Sequence, residues 1–367
     1  MKTAVNTYHL IPLVVVMLLT GNKKINGQLP EPEFNKDSII SVMYRVSNYQ
    51  KSNSWMNVDR NWKRSTFYTG LMAFYKVTKD NELLTKAEYW AGKHGYRVGT
   101  DWFYPPNKLA CSQTYLEIFF ITKNREVIKN TKDYMDSEIE ENKSAFEQGW
   151  DYIDALYVGA PAYAMMGKAT GDEKYIRYMN RIFREVTDSL WDEHDKLFYR
   201  DMDAMRHKSK NGKKVLWSRG NGWAIASIPR ILEYLPSENN YYDKYVSLLK
   251  SMAESLSKRQ GNDGFWRTNL ADYDEYQMPE SSGTAFFTYA IAWGINNGIL
   301  NRDLYMPVVK KAWKALYNDV NKEGKVLYGQ TVNHRPAVVR KEDSGEYVSG
   351  AFLLAGSEVL KLYSQDD

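Results

Sequence analysis

The sequence predicts an all-α protein, an (α/α)6 barrel of six helical hairpins, and three observations carry that expectation. Apolar residues recur at helical spacing in about twelve runs along the chain. Three junctions between runs look alike: VTKDNELL at 77–84, ITKNREVI at 121–128 and ATGDEKYI at 169–176, with Thr78, Thr122 and Thr170 standing 44 and 48 residues apart. Short junctions of this kind alternate with long connectors, so helix pairs repeat, and six pairs closed in a ring is the economical account. An open solenoid is the structural alternative.

The N-terminus carries Lys2, an apolar run from Leu10 to Leu19, then small and polar residues through Gly27. This fits a secretory signal peptide over 1–27 and is too short to span a membrane. The remaining 28–367 are expected to form a single barrel domain, exported to the periplasm or secreted, with no membrane insertion. The formal charge of +4 falls to about +1 without Lys2, Lys23 and Lys24, which argues against a nucleic-acid surface. Cys111 is alone, so no internal disulfide forms and the core must supply the stability.

The helices are expected at 37–50, 64–79, 82–97, 109–123, 125–141, 153–169, 172–190, 220–235, 241–259, 282–298, 303–319 and 348–365. At the short turns Asp or Asn caps the second helix, with acids in its first turn to oppose the helix dipole. With short turns at one end of the ring, the connectors 98–108, 142–152, 191–219, 260–281 and 320–347 gather at the other. Loops carried by a rigid scaffold commonly hold function, so a site is expected at that mouth. The longest segment before 220 alternates near 196–200 and 213–217, enough for a short hairpin.

The most informative connector end is WSRGNGW at 217–223. Tryptophan faces stack on the apolar face of a sugar, arginine pairs a carboxylate through two parallel donors, and Gly220 and Gly222 admit close backbone approach. A helix entry with Arg219 solvated and both tryptophans in the core is the bland alternative. The second segment is GWDYIDALYVGAPAYAMMG at 149–167, where Asp154 interrupts an apolar helical face. A low-dielectric setting would raise its pKa toward that of a working acid. Asp151, at the start of the run, reads as an N-terminal cap. Asn107 reads as the end of a proline turn, Glu280 as the beginning of a helix cap with Ser281 or Ser282, and Arg200 as a hairpin charge. The histidines His9, His94, His194, His207 and His334 are too scattered for a zinc helix, and no phosphate loop or nucleophile elbow occurs, so neither metal nor cofactor is expected.

In order along the chain, TFYTGLMAFY (66–75), QTYLEIF (113–119), IDALYVGAPAYA (153–164), YRD (199–201), WSRGNGW (217–223), ESSGTAFFTYA (280–290) and GAFLLAGSEV (350–359) resemble the unsaturated uronyl hydrolases of glycoside hydrolase families 105 and 88, especially the unsaturated rhamnogalacturonyl hydrolases of family 105. The resemblance implies the same barrel, an oligosaccharide substrate ending in a 4,5-unsaturated uronate, and Asp154 as general acid and base. It implies that Arg219 and Trp223 line the uronate pocket, with Trp150 or Trp217 as further stacking surfaces. Asn107 stands where many relatives carry an acid, and Arg200 where some carry histidine. The competing readings are a two-carboxylate glycosidase pairing Asp154 with Asp151 or Glu280, a non-catalytic sugar-binding protein, and a sugar epimerase.

Overall fold

A computed structural model describes residues 32–52 and 59–364. The expected leader at 1–27 and the last residue of the expected final helix lie outside those residues. The α-helices are α1 (Lys36–Ser52), α2 (Trp62–Thr78), α3 (Asn81–Lys93), α4 (Ala110–Thr122), α5 (Glu126–Glu141), α6 (Ala155–Val158), α7 (Ala160–Thr170), α8 (Lys174–Leu190), α9 (Ser218–Leu232), α10 (Tyr242–Ser257), α11 (Ser281–Asn296), α12 (Arg302–Asn318) and α13 (Glu346–Ser364).

The ring closes as the hairpin count requires. α2 packs on α4, α4 on α7, α7 on α9, α9 on α11, α11 on α13, and α13 returns to α2, while α1, α3, α5, α8, α10 and α12 lie outside. This is an (α/α)6 barrel. The inner helices are apolar nearly all round: every residue from Ser281 to Ile295 of α11 is buried. The outer helices present one apolar stripe, as in α8, whose buried positions include Tyr175, Ile176, Met179, Ile182, Phe183 and Val186. Closure depends on small residues where α2 meets α13, since a Cβ on Gly70 would lie 2.3 Å from Gly350 O and one on Gly350 2.2 Å from Thr66 O.

The three look-alike turns are built as expected. Asp80, Asn124 and Asp172 each accept the backbone N–H two residues on, at 2.9, 3.1 and 2.9 Å. Lys79, Lys123 and Gly171 take the left-handed conformation that ends the preceding helix. No helix among the described residues is long and apolar enough to cross a membrane.

Two local expectations are corrected. The run expected as one helix over 153–169 is broken at Gly159 into α6 and α7. The Trp150 ring occupies the space beside Gly159, where a Cβ would lie 2.4 Å from it, and Pro161 lacks the N–H that would continue the ladder. The hairpin pairs β1 (Trp191–Asp192) with β2 (Leu197–Phe198), whereas Trp217 bridges to Asn269. Asp192 accepts the backbone N–H of His194 and Asp195, which closes the turn locally and leaves 213–217 for a different partner.

Candidate active site

Four of the five long connectors, all but 260–281, converge on one cavity of about 300 Å³. Its lining comes from the start of α2 (Trp62), the 94–109 connector (Tyr104, Asn107), the 142–154 connector and α6 (Tyr152, Asp154, Val158), the hairpin (Arg200), α9 (Arg219, Trp223) and a strap at 332–334 (Val332, Asn333, His334). Asp154 is the one acid among these lining residues.

Asp154 sits immediately before α6 and not within a helical face. The broken helix puts it at the N-terminal cap position, yet its side chain caps nothing. Its backbone is pinned from the hairpin side, where Ile153 N–H donates to Arg200 O at 2.9 Å. The same tie brings the two side chains together, with Arg200 Nε 3.4 Å from Asp154 Oδ2. Neither atom has a hydrogen-bond partner. Burial raises the Asp154 carboxyl above its ordinary value, and the Arg200 and Arg219 charges oppose that rise. A carboxyl held this way is more easily kept protonated than an exposed one.

Arg200 is itself held by its neighbours. Nη1 donates to Asp201 Oδ2 at 2.7 Å, and the guanidinium lies 4.9 Å from the Tyr152 ring centre and 5.6 Å from that of Tyr104. Tyr152 O–H donates to Asn107 Oδ1 at 3.0 Å, and Asn107 Nδ2 donates to Asp101 Oδ2 at 2.8 Å. Asn107 therefore bridges a tyrosine and an acid. The carboxylate Asp101 stands one hydrogen bond behind the pocket.

Arg219, expected to pair a carboxylate, lines the cavity with most of its donors bonded to the protein. It is 1% exposed, and its Nη1 donates to Gln330 O at 2.5 Å and Tyr347 O–H at 3.4 Å. Its Nη2 donates to Thr331 O and Asn333 O, both at 3.1 Å, leaving Nε alone without a partner. The guanidinium lies between the Trp217 and Tyr347 rings, 4.6 and 4.9 Å from their centres. Arg219 thus anchors the 330–333 strap that roofs the cavity.

Trp217 and Trp150, expected as further stacking surfaces, are buried outside the cavity lining. Trp217 is 1% exposed, lies outside the cavity lining and donates Nε1–H to Gln330 Oε1 at 2.8 Å. Trp150, equally buried, fills the notch at Gly159. Gly220 and Gly222 serve packing, since Cβ atoms there would lie 2.7 Å from the Trp217 ring and 3.1 Å from Phe286. Trp223 does line the cavity, backed by Phe286 at 4.4 Å and Tyr157 at 4.9 Å between ring centres.

Several contributors had no sequence signal strong enough to single them out. Trp62 stands edge-on to Trp223, ring centres 6.0 Å apart. Asn221, in the middle of RGNGW, accepts Phe198 N–H at 2.8 Å and donates to Phe198 O at 2.9 Å, which fixes the strand leading into Arg200. An asparagine early in an apolar helix was the available hint. Gln330 joins Trp217, Arg219, Tyr347 and Glu280 through its side chain and backbone.

The proposed carboxylate partners are elsewhere. Glu280 is fully buried and caps α11 through Ser282 and Gly283 N–H at 2.9 and 2.7 Å, the cap position expected for the following serines. Asp151 is exposed and outside the lining. Among the described residues, Asp192, His194 and Asp195 are close enough together to share a metal ion. Lys214, 2.6 Å from both acids, and Arg259, 2.6 Å from Asp195, already compensate them.

Residues 35–363 match the family described as Glycosyl Hydrolase Family 88. An unsaturated 3S-rhamnoglycuronyl hydrolase of Alteromonas sp. is 36% identical over 318 residues, covering 82% of this chain and 77% of its own. A protein of the same name from Formosa agariphila is 30% identical over 374 residues, covering 96% and 98%. A solved glycosyl hydrolase family 88 structure from Bacteroides vulgatus superposes with a TM-score of 0.83 at 29% identity, covering 89% of this chain and 99% of that one.

Proposed function

The chain belongs to glycosyl hydrolase family 88, and on that premise we propose that it removes a terminal 4,5-unsaturated uronate from an oligosaccharide with Asp154 as the single acid and base. The observation that carries the reading is a cavity whose lining holds one acid, buried enough to have its carboxyl raised. A conventional glycosidase needs two carboxyl groups across the scissile bond. A 4,5-unsaturated uronate needs only one, because its double bond is an enol ether.

In this mechanism Asp154 gives its proton to C4, the C4=C5 π electrons form the new C–H bond, and the cation at C5 is shared with the ring oxygen. The resulting carboxylate takes a proton from water as the water oxygen bonds to C5. The hemiketal opens by breaking the bond from C5 to the ring oxygen. The aglycone then leaves from C1 of the hemiacetal with a proton on its oxygen. Asp154 ends protonated, ready for the next substrate.

The cations divide the remaining work. With both Arg219 Nη atoms committed to the strap, Arg200, which keeps a donor without a hydrogen-bond partner beside Asp154, is assigned the substrate's C6 carboxylate. A bound carboxylate there would offset the Arg200 charge and keep Asp154 in the acid form until it has transferred its proton. Trp223 and Trp62 supply apolar surface for the sugar. Asn107 orients Tyr152, which in turn packs on Arg200.

The relatives' names keep the rhamnose expected from the sequence and add the label 3S, which we read as a sulfate ester on O3. The first substrates to test are therefore unsaturated uronyl-rhamnose disaccharides with and without that ester. The leader-like segment before residue 28 supports an exported enzyme acting on fragments released outside the cell. The test is loss of the ultraviolet absorbance of the conjugated uronate; turnover of either disaccharide is expected, and no loss on either overturns the reading.

A further inference from the structure

The geometry points to a second saccharide-binding surface outside the cavity, in which Phe103 and Trp102 carry the sugars beyond the first aglycone unit. This inference rests on the proposed function for its ligand class. It starts from a row of rings along the 94–109 connector. Tyr152, in the cavity wall, lies 4.7 Å from Tyr104, Tyr104 lies 4.7 Å from Phe103, and Phe103 lies 5.7 Å from Trp102.

Exposure rises along the row. Tyr152 is 2% exposed, Tyr104 is half-buried, Phe103 is 64% exposed and Trp102 is 83% exposed. Trp102 and Phe103 set two large exposed rings side by side next to the cavity wall, an apolar surface suited to a ligand. The row leads from the wall beside Arg200 to solvent and offers a path for an oligosaccharide whose terminal uronate is seated. Sugars suit it because their apolar faces stack on aromatic rings while their hydroxyls stay in water. A rhamnose unit adds a methyl group to that apolar surface.

Other exposed apolar side chains also stand on connectors that supply the cavity lining. Met202, Met205 and Val332 are 51%, 41% and 58% exposed, and all belong to connectors that also supply the cavity lining. The connector itself is held from beneath, because Asp101 accepts Phe103 and Tyr104 N–H at 3.1 and 2.9 Å while bonded to Asn107. Position of the platform and position of the cavity wall are thereby coupled.

The test compares an unsaturated disaccharide with the unsaturated tetrasaccharide of the same repeat. Wild type is expected to show a lower KM for the tetrasaccharide. Trp102→Ala raises that KM about three- to tenfold and leaves disaccharide kinetics within about twofold, and Trp102→Phe restores most of the loss. Equal effects on both substrates, no effect on either, or no chain-length preference in wild type overturns the platform. The same comparison is made as a tetrasaccharide Kd by calorimetry in an Asp154→Asn background. Failure of wild type to turn over either sugar removes the proposed function, while the Kd ratio with and without Trp102 still decides the platform.

Discussion

The two walls of the cavity use the same chemical parts to opposite ends. On the strap side, Arg219 directs four hydrogen bonds to Gln330, Thr331, Asn333 and Tyr347, and Trp217 adds a fifth to Gln330. On the hairpin side, Arg200 Nε and Asp154 Oδ2 face each other at 3.4 Å with neither in a hydrogen bond. On the first wall both Arg219 terminal nitrogens and the Trp217 N–H are bonded to the protein, with Arg219 Nε alone left over. In the proposed mechanism the second supplies a donor for the substrate and a proton. On the proposed function, the conspicuous buried Arg219 serves the scaffold and the less conspicuous Arg200 meets the ligand.

If that contrast holds, substitutions on the two walls separate stability from activity. The largest activity effect belongs to Asp154→Asn, expected to lower kcat by at least about 10²–10⁴-fold, the range for a positioned acid and base. Its stability moves the other way. The folded pKa of Asp154 lies above its ordinary value, so wild type loses stability as pH rises through the folded value and the amide variant does not. Thermal melts at neutral pH should show the variant at least as stable; a large loss of Tm would place Asp154 with the scaffold.

Arg219→Met reverses that pattern. Removing the guanidinium takes a donor from Gln330 O, which keeps Tyr347 O–H, and from Thr331 O and Asn333 O, and we expect a loss of roughly 1–3 kcal/mol in denaturant unfolding, with activity falling because the strap is released. A variant as stable as wild type but inactive would return Arg219 to substrate binding. Arg200→Gln is expected to cost about tenfold or more in kcat/KM through the lost carboxylate partner. It also removes a cation that holds the Asp154 pKa down. The basic limb of the pH profile should therefore move to higher pH, and a shift to lower pH would contradict the arrangement.

Asn107→Asp sharpens the comparison from behind the hairpin wall. It would set a carboxylate where the amide now lies 2.8 Å from Asp101, and two like charges there cannot both ionise easily. We expect several-fold lower kcat/KM, recovered in the Asp101→Asn, Asn107→Asp double variant. The smallest effect is that of Trp217→Phe, which loses one buried hydrogen bond to Gln330, about 1 kcal/mol by unfolding, with the chemistry intact.

The barrel and its acid were legible because their signals are local. Turn residues recur at VTKDNELL and its two relatives, and Asp154 stands out among Ile153, Ala155 and Leu156. Its setting was less legible, since the break at Gly159 depends on Trp150 filling the notch and moves Asp154 from a helix face to a helix start. The bonding of Arg219 was hidden by distance: its carbonyl acceptors lie 111 to 114 residues away on a strap with no pattern of its own. Trp62 and Tyr104 were hidden for the same reason. They reach the cavity from separate connectors, and only closure of the ring brings them together.

The most direct test of the central claim, one acid hydrating a C4=C5 bond, is to run turnover in ²H₂O and follow C4 of the uronate by NMR at the earliest time points. The account predicts deuterium at C4 appearing together with loss of the conjugated absorbance and release of the aglycone, and none of the three at a comparable rate with Asp154→Asn. Aglycone release with the double bond intact and C4 free of deuterium would contradict it.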